Sequence, residues 1–382
     1  MVSAKPYLRK AINFYKKLAR KISYRKKLFF ECLFILTVGR LMLLSRNKPN
    51  KQNVLMMMQK SYFLGSKDTS TETDLYEVLS QYVTSNIPQS SIFAWHFDRR
   101  RPFPIFRFAF LLSKSRPSLV VLSSHSEMYP QGSYFTRSFL RWCGQAIPGL
   151  QFCEIGWDTV GKDFWSAEFV SKLPRHFIVL DAPSLKTIPI QVRSIMASSG
   201  FLISSCAQPF VADRWFQSYN SPRSIDCSFV GLTGAYRNYR DSYLNYVKEF
   251  VPGSLILTAK NRQEQVPHLE YRRILQNSKI SINFSESISG QHQIKGRVWE
   301  SLLSGCLLIE QLNDEINHFF QDGVHYVSFS TKEELVEKLV FYSSNVKARK
   351  EIAMRGQERA ISLIGQGEFG KLISRIVQFP LL

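Results

Sequence analysis

At 382 residues the chain exceeds what one hydrophobic core ordinarily supports, so two domains are expected. An apolar content of 45% is ordinary for a globular protein. The net charge of +20 is uneven: residues 1–50 carry 13 Lys and Arg against one acid, a net +12, which leaves a mildly basic body and excludes an evenly basic surface.

The first 50 residues read as a basic arm. Leu8, Ile12, Tyr15, Leu18 and Ile22 recur at helical spacing among the cations of Lys5–Lys27, the pattern of a basic amphipathic helix. Leu28–Leu44 then runs apolar for 17 residues, interrupted by Glu31 and Arg40. A membrane-spanning helix needs about 20 apolar residues and tolerates a central charge poorly. A signal peptide has a shorter basic region and a small-residue cleavage site, absent here. Three readings stand: an anchor on an anionic membrane surface through residues 5–44, a helical pair packed on the first domain, and a transmembrane anchor. No nucleic-acid-binding motif accompanies the charge.

From Asn53 the pattern becomes β/α. Strands are expected at Asn53–Met58, Ile92–Phe97, Ser118–Ser123, Phe152–Trp157 and Phe177–Asp181, with helices at Asp74–Tyr82 and Phe106–Lys114. This alternation predicts a doubly wound parallel sheet over residues 51–205. The second half opens near Phe201–Ser204, with the boundary placed within Leu185–Asp226, where Pro189, Pro209 and Pro222 punctuate the chain. Its strands are expected at Phe229–Val230, Leu255–Leu257, Ile280–Phe284, Leu307–Ile309 and Tyr326–Phe329. Thr331 and Glu334 form a capping box for the helix that follows. A second Rossmann-like domain is thus expected over 206–365, with 366–382 a last helix that could return to the first domain.

The most informative stretch is Ser278–Glu310. Ile280, Ile282 and Phe284 alternate with polar residues, a polar loop spans Ser285–Gln293, and a helix is expected over Lys295–Ser304 with Gly305 as its stop. Lys295 and Arg297 bring two cations to an N-terminus that already favours anions. Arg297 and Glu300 share a face. Cations beside a carboxylate suit a nucleotide diphosphate and its ribose; the alternative is a surface ion pair on an ordinary amphipathic helix. Arg237 and Arg240, after Gly231 and Gly234, could reach the same diphosphate or lie on a solvated face.

In the first half, Ser123–Glu127 (SSHSE) follows the strongest strand. His125 there is placed for acceptor binding or general-base work, or belongs to a plain turn. Asp158 and Asp181 also follow strands, as a candidate base and a candidate turn residue, with helix N-capping the alternative at Asp158. Six cysteines show no zinc spacing and seven histidines include no HExxH pair, so no metal site is expected, and reduced, buried thiols of a cytoplasmic protein are. Walker A and GxGxxG loops are absent.

The segments DCSFVG (226–231), SKISINF (278–284), GRVWE (296–300), GCLLI (305–309), FQDGVHYVSF (320–329) and KEELVEKLVFY (332–342) follow one another in the order and spacing of a known family. Over residues 226–365 the chain resembles glycosyltransferases of the GT-B fold, nearest the group of spore-maturation-protein (CgeB-like) enzymes. The resemblance implies two Rossmann-type domains facing a cleft. It implies a hexosyl-type transfer from a nucleotide-diphosphate sugar to an acceptor glycan, lipid or protein, without metal or other cofactor; with the reduced thiols and the basic arm, a cytoplasmic enzyme peripheral at the inner face of the membrane is expected. Carried over residue by residue, Glu300 matches the glutamate that holds the ribose. Lys295 and Arg297 match basic positions near the diphosphate, Gly231 a glycine close to phosphate, and Asp158 an aspartate of the first half. The position eight residues before Glu300, a second glutamate in many retaining relatives, is His292, which would face the donor sugar. The competing reading from another class is a non-catalytic basic membrane- or nucleic-acid-binding protein on the same fold.

Overall fold

Most of the strand segments are apolar without strict alternation, as parallel strands covered on both faces must be. The computed structural model describes residues 53–378 except 59–70, 88–89, 97–110, 113, 124–146, 148, 157–158, 160–175, 187, 199–201, 235–236, 262–263 and 288–289. The basic arm therefore lies outside the described residues, as do His125 and Asp158. The strands assemble into two parallel sheets with helices packed against them, a doubly wound α/β architecture in both halves.

The first sheet holds β1 (Val54–Met58), β2 (Ile92–His96), β3 (Leu119–Ser123), β4 (Gln151–Gly156), β5 (His176–Val179) and β6 (Leu202–Ser205), in the order β2-β1-β3-β4-β5-β6. Helix α1 (Thr71–Asn86) connects β1 to β2, and α2 (Ile190–Ser198) leads from β5 to β6. Leu202–Ser205 thus closes the first sheet, pairing with β5, rather than opening the second half. Its shortness and its exposed Leu202 are those of an edge strand.

After a short helix α3 (Ala212–Trp215), the second half reads β7 (Ile225–Leu232), α4 (Tyr239–Phe250), β8 (Ser254–Ala259), α5 (His268–Asn277), β9 (Ser278–Asn283), α6 (Gly296–Leu303), β10 (Leu307–Gln311), β11 (Val327–Phe329), α7 (Lys332–Ser344) and α8 (Val346–Gly365). The strand order is β11-β10-β9-β7-β8. The chain leaves β7 on one side toward β8 and returns on the other to β9, so β7 and β9 flank the point where the winding reverses. In open α/β sheets that point opens the crevice in which ligands bind.

One apolar cluster, with Trp215, Val298, Trp299 and Leu308, covers one face of the second sheet, and another, with Phe229, Phe284, Leu335 and Leu339, covers the other. The turn after α6 is set by Gly305, at φ +68°, where an added Cβ would stand 2.5 Å from the Gln217 carbonyl oxygen. The expected cap of α7 forms: Glu334 N–H donates to Thr331 Oγ1 at 3.1 Å, although the Glu334 carboxylate takes the Ser330 amide rather than that of Thr331. Arg223, just before β7, ties the base of this half together. Its guanidinium donates to the carbonyls of Gln217, Ser218, Leu275, Gln276, Ser278 and Ser304, among them those that end α5 and α6.

The last helix, α9 (Glu368–Gln378), leaves the second half. Phe369, Ile373, Ile376 and Val377 form a helical stripe buried in one cluster with Val54, Met56, Leu79 and Val121 of the first half. Gly370 lies against the Tyr82 ring, where a Cβ would meet Cγ at 2.3 Å. The two halves also meet at the carboxyl ends of their sheets. Ile294 N–H donates to the Asp181 carbonyl at 2.8 Å, and Ser184 gives both its amide, at 2.9 Å, and its hydroxyl to the Glu315 carboxylate. Loops after β5 thus touch loops after β9 and β10.

Candidate functional site

Helix α6 begins at Gly296, with Lys295 as an extended N-cap that offers no side-chain cap of its own. Its first N–H groups are those a helix leaves without internal partners. The helix is buried on every side from Val298 to Leu303, Glu300 included, so the surface ion pair drawn from the sequence does not exist. Arg297 and Glu300 meet instead at the hydroxyl of Tyr271 on α5. Tyr271 Oη donates to Glu300 Oε2 at 2.5 Å, and Arg297 Nε donates to Tyr271 Oη at 3.4 Å. Burial raises the Glu300 carboxyl above its ordinary value, while the Tyr271 bond and the Arg297 charge hold it down. Burial and the adjoining Glu300 push the Tyr271 phenol well up, so it remains a donor.

The Arg297 guanidinium lies over the Phe229 ring, 5.2 Å from its centroid, and Nη1 donates to Asn283 Oδ1 at 3.2 Å. Asn283 closes β9, and its amide nitrogen donates to Glu310 Oε2 on β10 at 2.7 Å. Gly231 lies inside β7 rather than after it. A Cβ there would meet Arg297 Nη2 at 2.9 Å, so the glycine makes room for the guanidinium. Arg297, Asn283, Glu300, Glu310 and Tyr271 therefore form one connected polar group at the reversal point of the sheet.

The loop after β9 doubles back through Gly290, at φ +72°, so that Glu286 pairs with His292. His292 Nδ1 is 2.7 Å from Ser285 Oγ. Ser285 Oγ also stands 3.3 Å from the Gln311 carbonyl oxygen. Burial lowers the His292 pKa, which keeps the ring neutral at neutral pH.

Arg240 does not reach into the crevice. It is buried on α4, and its guanidinium donates to the carbonyls of Leu232 and Phe284 at 3.1 and 3.2 Å, pinning the ends of β7 and β9 to each other. Arg237, half-buried, lies just before α4. Gly234 allows the loop after β7 to close against β8, since an added Cβ would stand 2.2 Å from the Lys260 carbonyl oxygen. Gly234→Ala is accordingly expected to cost about 1–3 kcal/mol through forced backbone movement, read as a lowered denaturation midpoint. In the first half, Asp181 proves buried: its carboxylate accepts from Thr159 N and Oγ1 at 2.6 and 2.7 Å, fixing the loop that follows β4.

Sequence reasoning did not single out Tyr271, Asn283 or Glu310 as site residues. Tyr271 sits 29 residues before Glu300 on a helix whose pattern only marks one apolar face. Asn283 and Glu310 looked like strand ends; their side-by-side register across β9 and β10 is what joins them. Among the described residues, no group of three or more His, Cys, Asp or Glu side chains could hold a metal ion, and no helix is long and apolar enough to cross a membrane. Cys153, Cys206, Cys227 and Cys306 are buried and unpaired with one another.

Residues 222–363 match the glycosyl transferase-like family. No curated protein matches the sequence. Among solved structures, a glycosyltransferase from Rickettsia africae ESF-5 superposes with a TM-score of 0.53 at 10% identity, covering 87% of this chain and 100% of its own. Sucrose-phosphate synthase from Thermosynechococcus elongatus gives 0.57 at 8% identity over 86% and 98%. HepE from Anabaena, in complex with UDP-glucose, gives 0.51 at 10% identity over 85% and 99%. Two parallel, doubly wound sheets that meet at their carboxyl ends, with a glycosyl transferase-like segment spanning the second, give this chain the GT-B fold.

Proposed function

We propose that the protein transfers a sugar, in the manner of a hexosyltransferase of the CgeB-like group, from a nucleotide-diphosphate sugar to an acceptor glycan, lipid or protein. The observation that carries this reading is the start of α6, where Lys295, Arg297 and Glu300 gather at the reversal point of the second sheet, within the family-matched segment. The complex of HepE with UDP-glucose supports a nucleotide-sugar donor. Lys295, Arg297 and the free N–H groups of α6 would take the diphosphate oxygens, with Arg237 beside them and Gly231 leaving space for the Arg297 fork. Such fixed positive charge can stabilise a departing diphosphate without a metal ion.

The Glu300 oxygen not taken by Tyr271 would accept from the ribose hydroxyls. His292 would hydrogen-bond a donor-sugar hydroxyl, where many retaining relatives place a glutamate. The acceptor would lie against the first sheet, with His125 and Asp158, which follow β3 and β4 in sequence, as the groups for proton transfer. Segment 5–44 would bring the protein to an anionic membrane surface at the cytoplasmic face.

A thermal-shift panel of UDP, GDP and their sugars tests the donor site. A ligand at about 100 times its dissociation constant is expected to stabilise the fold by about 2.7 kcal/mol. No shift with any nucleotide in the panel would sink the reading.

A further inference from the structure

Glu310 belongs to the polar group at the crevice, and donor binding gives it no direct task. It is fully buried on β10, paired in parallel register with Asn283 and Ser328. Its Oε2 accepts from Asn283 Nδ2 at 2.7 Å, and its Oε1, also buried, has no hydrogen-bond partner among the described residues. An orphaned carboxylate oxygen in a dry site is strongly disfavoured, whereas a proton on it removes the charge. Asn283 is a relay of fixed polarity: its nitrogen faces Glu310, and its oxygen faces Arg297 Nη1. Whatever charge Glu310 holds is therefore sensed by the guanidinium.

Building on the nucleotide-sugar reading, we propose that Glu310 is a positioning residue that aims Arg297 through Asn283 and takes up a proton when an anionic diphosphate occupies the crevice. The groups around it fit this role. Arg297 and Lys295 from the start of α6 and Arg240 from α4 stabilise its ionised form, while Tyr239 on α4 and Tyr326 before β11 are neighbours that stay protonated. Burial outweighs the three cations and lifts the carboxyl to about 8. In the free protein Glu310 is then neutral at pH 7 and ionised at pH 9. A bound diphosphate draws the cations to itself and adds negative charge, so it raises the pKa further. Affinity is therefore full below pH 8 and falls as pH rises through and above that value. Solvent supplies one proton to the carboxylate on binding in that window. His292, its pKa lowered, is already neutral there, and the terminal phosphate of a nucleoside diphosphate, with a pKa of about 6, keeps one charge state.

The test is calorimetric titration of the full-length protein with UDP and GDP between pH 7 and pH 9.5, with inorganic pyrophosphate, which releases its own last proton within that range, used as a binding probe at pH 7 only. It is run in two buffers of different ionisation enthalpy, so that the proton count is read directly. The wild type is expected to take up a fraction of a proton near pH 9 and to lose affinity by up to about tenfold per unit above pH 8. Glu310→Gln, which copies the shape of the protonated acid and can still accept from Asn283, should show no uptake and a pH 7 to pH 9.5 affinity ratio near one. The wild-type proton count decides the matter even if the variant does not fold. Binding with no uptake, or with the same profile in wild type and Glu310→Gln, overturns the role of Glu310 and leaves the donor site standing. Failure of all three probes to bind at any pH overturns both.

Discussion

Arg223→Ala is expected to lower stability by about 3–5 kcal/mol, the largest loss of any single substitution in the second half outside its apolar core. The guanidinium serves six main-chain carbonyls, and several of these are the unpaired ends of α5 and α6, which have no helical partner to fall back on. Each carbonyl deprived of its donor costs about 1 kcal/mol or more where water cannot replace it, and Arg223 is only half-buried, so part of the deficit is made up by solvent. A lysine provides charge but only one point of contact, and recovers the smaller part. The midpoint of thermal unfolding should fall by about 6–15 °C for alanine and by less for lysine. An alanine variant that melts with the wild type would show that the network is ornamental to the fold.

Arg297→Ala is expected to weaken UDP binding by about 100- to 1,000-fold while the fold survives. Two charge-assisted bonds to a diphosphate, at about 1.5–3 kcal/mol each, set that scale. The protein itself loses less. The guanidinium is half-buried, rests on the Phe229 ring, and serves two neutral acceptors, Asn283 Oδ1 and Tyr271 Oη, so about 1–2 kcal/mol of stability goes with it. Arg297→Lys keeps the charge without the fork and should fall between the two. Isothermal titration with UDP beside a urea melt separates affinity from stability. An alanine variant that binds UDP as the wild type does would remove Arg297 from the donor site.

The strand–loop–helix–strand unit of residues 278–311 was legible because each step has a local cause. Ile280 and Ile282 alternate, Gly305 supplies the left-handed turn, and Val298/Leu302 and Trp299/Leu303 repeat at one helical turn. The same locality explains what was not legible. Periodicity marks one face of α6 as apolar, but that its other face is covered too, by Tyr271 of α5 and by Phe210 and Gln208 of the connecting chain, is a matter of tertiary packing. Leu202–Ser205, the end of the expected 51–205 domain and also read as the opening of the second half, was ambiguous for a similar reason. Four residues of strand carry no mark of which sheet they will extend, and only the pairing with β5 decides it. Arg240 looked like a ligand-facing cation because it follows a glycine-bearing strand end, yet it faces inward to two carbonyls.

The return of α9 to the first sheet has a consequence for how the protein is made. Phe369, Ile373, Ile376 and Val377 are synthesised some 300 residues after Val54 and Leu79, yet they complete the core around them. The first half must therefore wait, its apolar seam uncovered, through the synthesis of some 300 further residues, roughly 15–60 s at ordinary elongation rates. The second half, whose strands and covering helices run without interruption from Ile225 to Gly365, is finished before that seam closes. Order of assembly thus runs against order of translation: the later-made half can serve as the template, and the earlier-made half is the one that a nascent-chain chaperone would be called on to guard.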